Sequence, residues 1–209
     1  MDIKEYIESL SDKIWNTKNA RFVAYRRMKR CEISSVIATA MSSADIIAVN
    51  MICFLNVIKD KEYFSNSIAI ITTILSVMTL VLSLVVTLLR YSERKDNYHK
   101  CAISLDELNQ EIKIYLTMPH NDDEMEEKAK FFVKKYNDIL ISSNLNHTSF
   151  DHEYAMQTGD NQCRMRKLIY WFRWNIFDIN FFYWMIALVP SIITAYYIIK
   201  IVYKCSIFV

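Results

Sequence analysis

Residues 33–58 read ISSVIATAMSSADIIAVNMICFLNVI, and residues 67–89 read SIAIITTILSVMTLVLSLVVTLL. A helix needs about 20 mostly apolar residues to cross the hydrocarbon core of a bilayer, and both stretches reach that length. The second is built wholly of Ile, Leu, Val, Ala, Met, Ser and Thr. A third stretch, from about Ile176 to Tyr203, has Pro190 in its middle, where a kink is expected. It opens in an aromatic cluster: Tyr170, Trp171, Phe172 and Trp174, then Phe181, Phe182, Tyr183 and Trp184. Trp and Tyr favour the headgroup level, so this cluster reads as an interfacial belt. If the third stretch spans, Lys200 and Lys204 must snorkel to the far surface.

Composition points the same way. The 209 residues are 53% apolar and 23% charged, with a mean hydropathy of +0.08, so apolar and charged residues must be segregated along the chain. One Gly and two Pro argue against a glycine-rich phosphate loop and against a turn-rich β fold. The net charge of +2 predicts no nucleic-acid partner. Five scattered cysteines, at 31, 53, 101, 163 and 205, form no CxxC pair, which argues against a disulfide framework and a structural zinc site. The N-terminal MDIKEYIESLSDKIW is charged and amphipathic, so no cleaved signal peptide is expected.

Basic residues set the expected orientation. Arg21, Arg26, Arg27, Lys29 and Arg30 precede the first span; Arg90, Arg94 and Lys95 follow the second; Arg164, Arg166, Lys167 and Arg173 precede the third. Between spans one and two, Lys59 and Lys61 are offset by Asp60 and Glu62. The N-terminus and residues 90–175 are therefore expected in the cytoplasm.

The polar parts show helical periods. Ile3, Ile7, Leu10 and Ile14 recur every three or four residues, as on an amphipathic helix. Tyr98, Cys101, Leu105, Leu108, Ile112 and Tyr115 form a heptad seam, read as the second span continuing past the membrane. Pro119 ends it, and Asp122 is a suitable N-cap for a second helix presenting Met125, Ala129, Phe132, Tyr136 and Ile139. The two seams suit an antiparallel hairpin. Tyr98, Leu105, Leu108, Ile112, Phe132 and Tyr136 are also the candidate contacts with further copies or a soluble partner.

The expected fold is thus an all-α membrane protein. An N-terminal cytoplasmic amphipathic helix covers 1–32, and a transmembrane helical hairpin covers 33–89, with spans at about 33–58 and 67–89. A cytoplasmic helical hairpin follows over 90–142. A polar linker with an interfacial basic and aromatic segment occupies 143–175, and a third transmembrane helix with a short tail occupies 176–209.

The first span holds the strongest functional signal. Ser35, Thr39, Ser42, Ser43, Asp45, Asn50 and Asn56 fall within roughly 160° of the helix circumference. An ionisable residue deep in a bilayer costs a few kcal/mol and normally faces a bundle interior or a water-filled cavity. Two readings of this face stand side by side. In one, Ser35, Thr39, Ser42, Asp45, Asn50 and Asn56 line a pore built from several copies; in the other, they hydrogen-bond to neighbouring helices as packing contacts. Thr72, Ser76, Thr79, Ser83 and Thr87 of the second span read as packing residues that satisfy their own hydroxyls. His147, Asp151, His152 and Cys163 match no zinc spacing and read as a solvated loop. No triad motif or nucleophile elbow occurs, so neither a catalytic residue nor a cofactor is assigned. The alternative to a pore is a non-conducting anchor that tethers a soluble partner through its cytoplasmic helices.

Several segments resemble a known family: Trp15-Asn16-Thr17-Lys18-Asn19-Ala20-Arg21, the polar-faced hairpin, and Arg90-Tyr91 leading into the heptad helix. Tyr136-Asn137-Asp138-Ile139-Leu140, Asn146-His147 and Asp151-His152-Glu153-Tyr154 complete the similarity. Together they look like the SMODS- and SLOG-associating two-transmembrane effector (SLATT) family of bacterial conflict systems. The resemblance spans roughly residues 10–155, and the third span departs from the two-span pattern. It implies a cell-suicide effector of antiphage defence in the bacterial inner membrane. Such an effector would form an oligomeric pore when a partner senses infection. The implied partners are a nucleotide second messenger, a SLOG-type sensor, a nucleotidyltransferase or a reverse transcriptase.

Overall fold

The computed structural model describes residues 2–54, 61–143, 145, 151, 153, 155 and 179–206. Five long helices follow one another: α1 (Ile3–Phe54), α2 (Lys61–Leu89), α3 (Tyr91–Leu116), α4 (Asp122–Ser143) and α5 (Ile179–Ser206). Among the described residues there is no strand. The chain divides into two compact units, Met1–Lys29 with Ser92–Trp171, and Arg30–Tyr91 with Phe172–Val209.

The amphipathic helix expected over 1–32 and the span expected from 33 are one helix, α1. No Gly or Pro lies between residues 3 and 54, so nothing in the backbone chemistry interrupts it. The second junction behaves otherwise. Instead of continuing smoothly into α3, α2 stops at Leu89, and Arg90 takes φ 47°. The Arg90 amide donates to the Thr87 carbonyl at 3.3 Å, three residues back. A left-handed conformation without glycine costs roughly 1–2 kcal/mol.

The first unit is a three-helix bundle. Ile7, Leu10 and Ile14 of α1 pack with Cys101, Leu105, Leu108 and Ile112 of α3 and with Ala129, Phe132 and Tyr136 of α4. Polar contacts set the direction of each helix. The Ser11 hydroxyl donates to Asn109 Oδ1 at 2.8 Å, and Lys18 pairs with Asp106 at 2.8 Å. Residue numbers rise on α1 as they fall on α3, so these helices are antiparallel. Lys135 reaches back to Glu111 at 2.5 Å and Phe132 meets the Tyr115 ring, so α3 and α4 are antiparallel as well. Farther along α1, Ala20 and Ala24, like Ala102 of α3, are fully buried.

The turn between α3 and α4 is held locally. Thr117 and Met118 bond three residues back, ending α3 ahead of Pro119. Met125 N–H donates to the Asn121 carbonyl at 3.0 Å, so Asn121 occupies the capping position expected of Asp122. Asp122 instead joins Asp123 and Glu124 in the first turn, where carboxylates face the positive end of the helix dipole. His120 stacks on Tyr115, with ring centroids 3.8 Å apart. Burial, and then the Glu124 carboxylate, push the Tyr115 phenol above its ordinary pKa.

Leu105 is wholly buried in this core, whereas Ile103 on the same helix is exposed. Leu105→Ala should cost about 2–5 kcal/mol, and Ile103→Ala should stay within about 0.5 kcal/mol of wild type. Thermal unfolding of the detergent-solubilised protein, followed by circular dichroism, checks the contrast.

Candidate functional site: a small and polar seam on α1

Within the second unit, the buried positions of α1 are Cys31, Ser34, Ser35, Ala38, Ser42 and Asp45. Cys31, Ser35, Ala38, Ser42 and Asp45 alternate steps of four and three, the spacing of a coiled-coil seam. Every side chain on it is small or polar. On α5 the buried residues are Tyr183, Ala187 and Thr194, and Asn180 and Ser191 extend the same stripe.

Two polar rungs join the stripes. Ser34 Oγ makes a short contact with Asn180 Oδ1. The Ser191 hydroxyl donates to Asp45 Oδ2 at 2.8 Å. Both rungs pair residues 146 apart in sequence, so α1 and α5 run parallel in one constant register. The rungs are 11 residues apart on each helix, about 16 Å along the axis. A third polar contact lies beyond them, where the Tyr91 and Tyr183 hydroxyls meet at 3.1 Å.

Chemistry explains why this contact exists. From residue 31 to residue 54, the only charged side chains are Glu32 and Asp45, and no basic residue is present. A carboxylate deep in that segment must take its hydrogen bonds from another helix or from water. Ser191 supplies one donor. Its single proton is shared, because the Ala187 carbonyl also lies 2.8 Å away. Hydrogen bonds between helices in a bilayer average about 0.6 kcal/mol, so the two rungs specify register more than they supply strength.

The six residues read from sequence as pore lining now separate. Ser35, Ser42 and Asp45 lie on the buried seam, and Thr39 is half-buried. Asn50 is exposed, and Asn56 lies outside the described residues. Ser35 and Thr39 satisfy their hydroxyls on the carbonyls of Glu32 and Ser35. Sequence reading assigned no role to Ser191 or Asn180. The signal was available in the spacing of Asn180, Tyr183, Ala187, Ser191 and Thr194, a small and polar stripe matching that on α1.

The surface of α2 is different. Ile70, Ile74, Met78, Leu80, Leu84 and Leu88 are all exposed. The hydroxyls of Thr73, Ser76, Thr79 and Thr87 each bond to the carbonyl four residues back and so are satisfied toward an apolar surround. A monomer in water does not present such a continuous apolar surface. Two helical stretches, in α1 and from Ala69 in α2, are long and apolar enough to cross a membrane. The described apolar part of α5, Asn180–Tyr196, is shorter.

The candidate partner contacts have another placement. Tyr98, Leu105, Leu108, Ile112, Phe132 and Tyr136 are all buried inside the first unit. Of the His147, Asp151, His152 and Cys163 group, only Asp151 is among the described residues. It is fully buried and helical, not part of a solvated loop, and it pairs with Arg27 at 2.8 Å. Arg21 is also buried, and its guanidinium lies 5.8 Å from the Tyr98 ring centroid. Two members of the basic cluster before the first span are therefore spent on internal contacts.

Removing one partner of a buried ion pair leaves the other charge uncompensated. Arg27→Ala should therefore destabilise the first unit by about 3 kcal/mol, the low end for such losses, because Arg27 retains some solvent contact. A double-mutant cycle with Asp151→Asn, read by thermal unfolding, should show strong coupling between the two sites.

Comparison with curated proteins and with solved structures finds no match. A family model, SMODS and SLOG-associating 2TM effector domain family 5, matches residues 3–196, which include the bundle, the hairpin and the α1 seam. With an all-helical chain and two helices able to cross a membrane, the match places the protein in the membrane as an effector of conflict and defence systems. The chain belongs to the SMODS and SLOG-associating 2TM effector family.

Proposed function

We propose that this protein is the membrane-disrupting effector of a bacterial abortive-infection system and acts at the inner membrane. Several copies assemble there into a pore when a partner protein or a nucleotide second messenger signals infection. The polar seam of α1 lines the conduit, with Asp45 as its most polar element. The supporting observation is a carboxylate on a continuous stripe of small and polar residues, in a helical segment without a single basic residue. Small side chains leave room for helices to approach or for water to enter. A carboxylate ring favours passage of cations.

In this reading the first unit faces the cytoplasm and receives the signal, and α5 crosses the bilayer as a third span. Its 28 residues measure about 42 Å as a helix, against a hydrocarbon core of about 30 Å. A first and a third span must run in the same direction, and the constant offset of the two rungs makes α1 and α5 parallel. The competing reading, a non-conducting anchor for a soluble partner, has less support. Its six expected contact residues are occupied in the chain's own core.

The test is membrane depolarisation during phage infection of cells that carry the protein together with its native partner, followed with a potential-sensitive dye at matched membrane levels. Wild type should collapse the potential, and Asp45→Ala should reduce the effect at least tenfold while inserting normally. Equal depolarisation by both would remove the α1 seam from the conduit. Retained potential with each, together with capture of a soluble partner, would favour the anchor.

A further inference from the structure

The seam that would line a conduit is covered within a single chain. Ser35, Ala38, Ser42 and Asp45 of α1 are buried, and the α5 stripe that meets them is polar and, apart from Tyr183, equally small. We propose that α5 is a built-in cover for the α1 seam. It holds the chain in a non-conducting form until the two helices part, after which the α1 seams of neighbouring copies take its place. The proposal rests on the pore reading above and adds how that pore is kept shut.

Three features make α5 suited to the task. First, its hold is polar and local. Asp45 takes a hydrogen bond from Ser191, and Ser34 meets Asn180, so two side-chain rungs specify one register. Second, the packing between the rungs uses Ala38 on one helix and Ala187 on the other. Such small positions can be exchanged for similar ones on another copy, and the one large buried side chain of the stripe, Tyr183, must part from Tyr91 as α5 leaves. Third, release need not break α5 itself. The helix runs unbroken through Pro190, and the hydroxyls of Ser191 and Thr194 bond to the carbonyls of Ala187 and Pro190. When α5 leaves, the Ser191 hydroxyl can donate wholly to the Ala187 carbonyl, so α5 loses no internal hydrogen bond. Asp45, by contrast, loses its donor and must be met by water or by a neighbouring copy. The energetic consequence of opening therefore falls on the residue assigned to the conduit.

The experiment measures dye release from liposomes containing the purified full chain. Ser191→Leu places a branched apolar side chain against Asp45 and should raise release about tenfold over wild type. Ser191→Thr keeps the hydroxyl and should match wild type. Ser34→Cys with Asn180→Cys, in a background whose native cysteines are replaced by alanine, allows the helices to be bridged. A short thiol-specific bridge that a reductant removes is used. Added to the Ser191→Leu protein, the bridge should suppress release, and reductant should restore it. Release that persists through a completed bridge, or a Ser191→Leu protein no leakier than wild type, would overturn the cover while leaving a lined pore tenable through the Asp45→Ala comparison. Failure of the bridge to form would show that α5 does not lie on α1 in the bilayer and would also overturn it. A bridge in high yield with no release or depolarisation from any variant would overturn the pore reading and the gate with it.

Discussion

Helix α1 presents two successive seams of opposite chemistry, and each compact unit is organised around one of them. The first, Ile7, Leu10 and Ile14, is aliphatic and completes a core with α3 and α4. The second, from Cys31 to Asp45, is small and polar and takes a matching stripe from α5. The governing constraint is desolvation. An aliphatic seam gains by leaving water, whereas a polar one in an apolar segment is tolerated only where donors meet acceptors. The partners of the two seams differ for that reason. Leucine and phenylalanine meet the first; serine, asparagine and alanine meet the second.

The same constraint accounts for the uneven treatment of hydroxyls. The hydroxyls of Thr73, Thr79 and Thr87 on α2 bond to carbonyls of their own helix and leave an apolar exterior suited to lipid. A carboxylate has no such local solution. It cannot donate to a carbonyl when ionised, and a helix offers no free amide in its interior. Asp45 therefore specifies a neighbour in a way that Thr39 or Ser43 does not, since both are satisfied on α1 itself. This difference singles out one residue of a polar face as the functional candidate.

The first unit shows how charge can be diverted from an apparent role. The basic run before the apolar segment looks like a topology signal, and the exposed Arg26 and Lys29 remain available to that interpretation. Arg21 and Arg27, however, are internal. One stacks over Tyr98, and the other neutralises the fully buried Asp151. A cluster of like charges in sequence is thus divided by the fold into residues that can face headgroups and residues that hold the bundle together.

The helical class, the apolar stretches and the α3 and α4 seams were legible in the sequence, because each rests on a short-range period that the helix repeat imposes regardless of context. The continuity of α1 was equally implicit in its lack of Gly and Pro, although the change from an amphipathic to an apolar pattern suggested a boundary. What one-dimensional periods could not supply was the identity of the partners. Ile7 and Leu105 meet because two helices run antiparallel, and Asp151 reaches Arg27 across 124 residues. The polar face of α1 was visible as a face, but whether it met water, another copy or another part of the chain depended on the register of α5. Register is a long-range property. Only the tertiary structure, by setting Ser191 against Asp45 and Asn180 against Ser34, decided that the Ser35, Ser42 and Asp45 part of this face is covered from within.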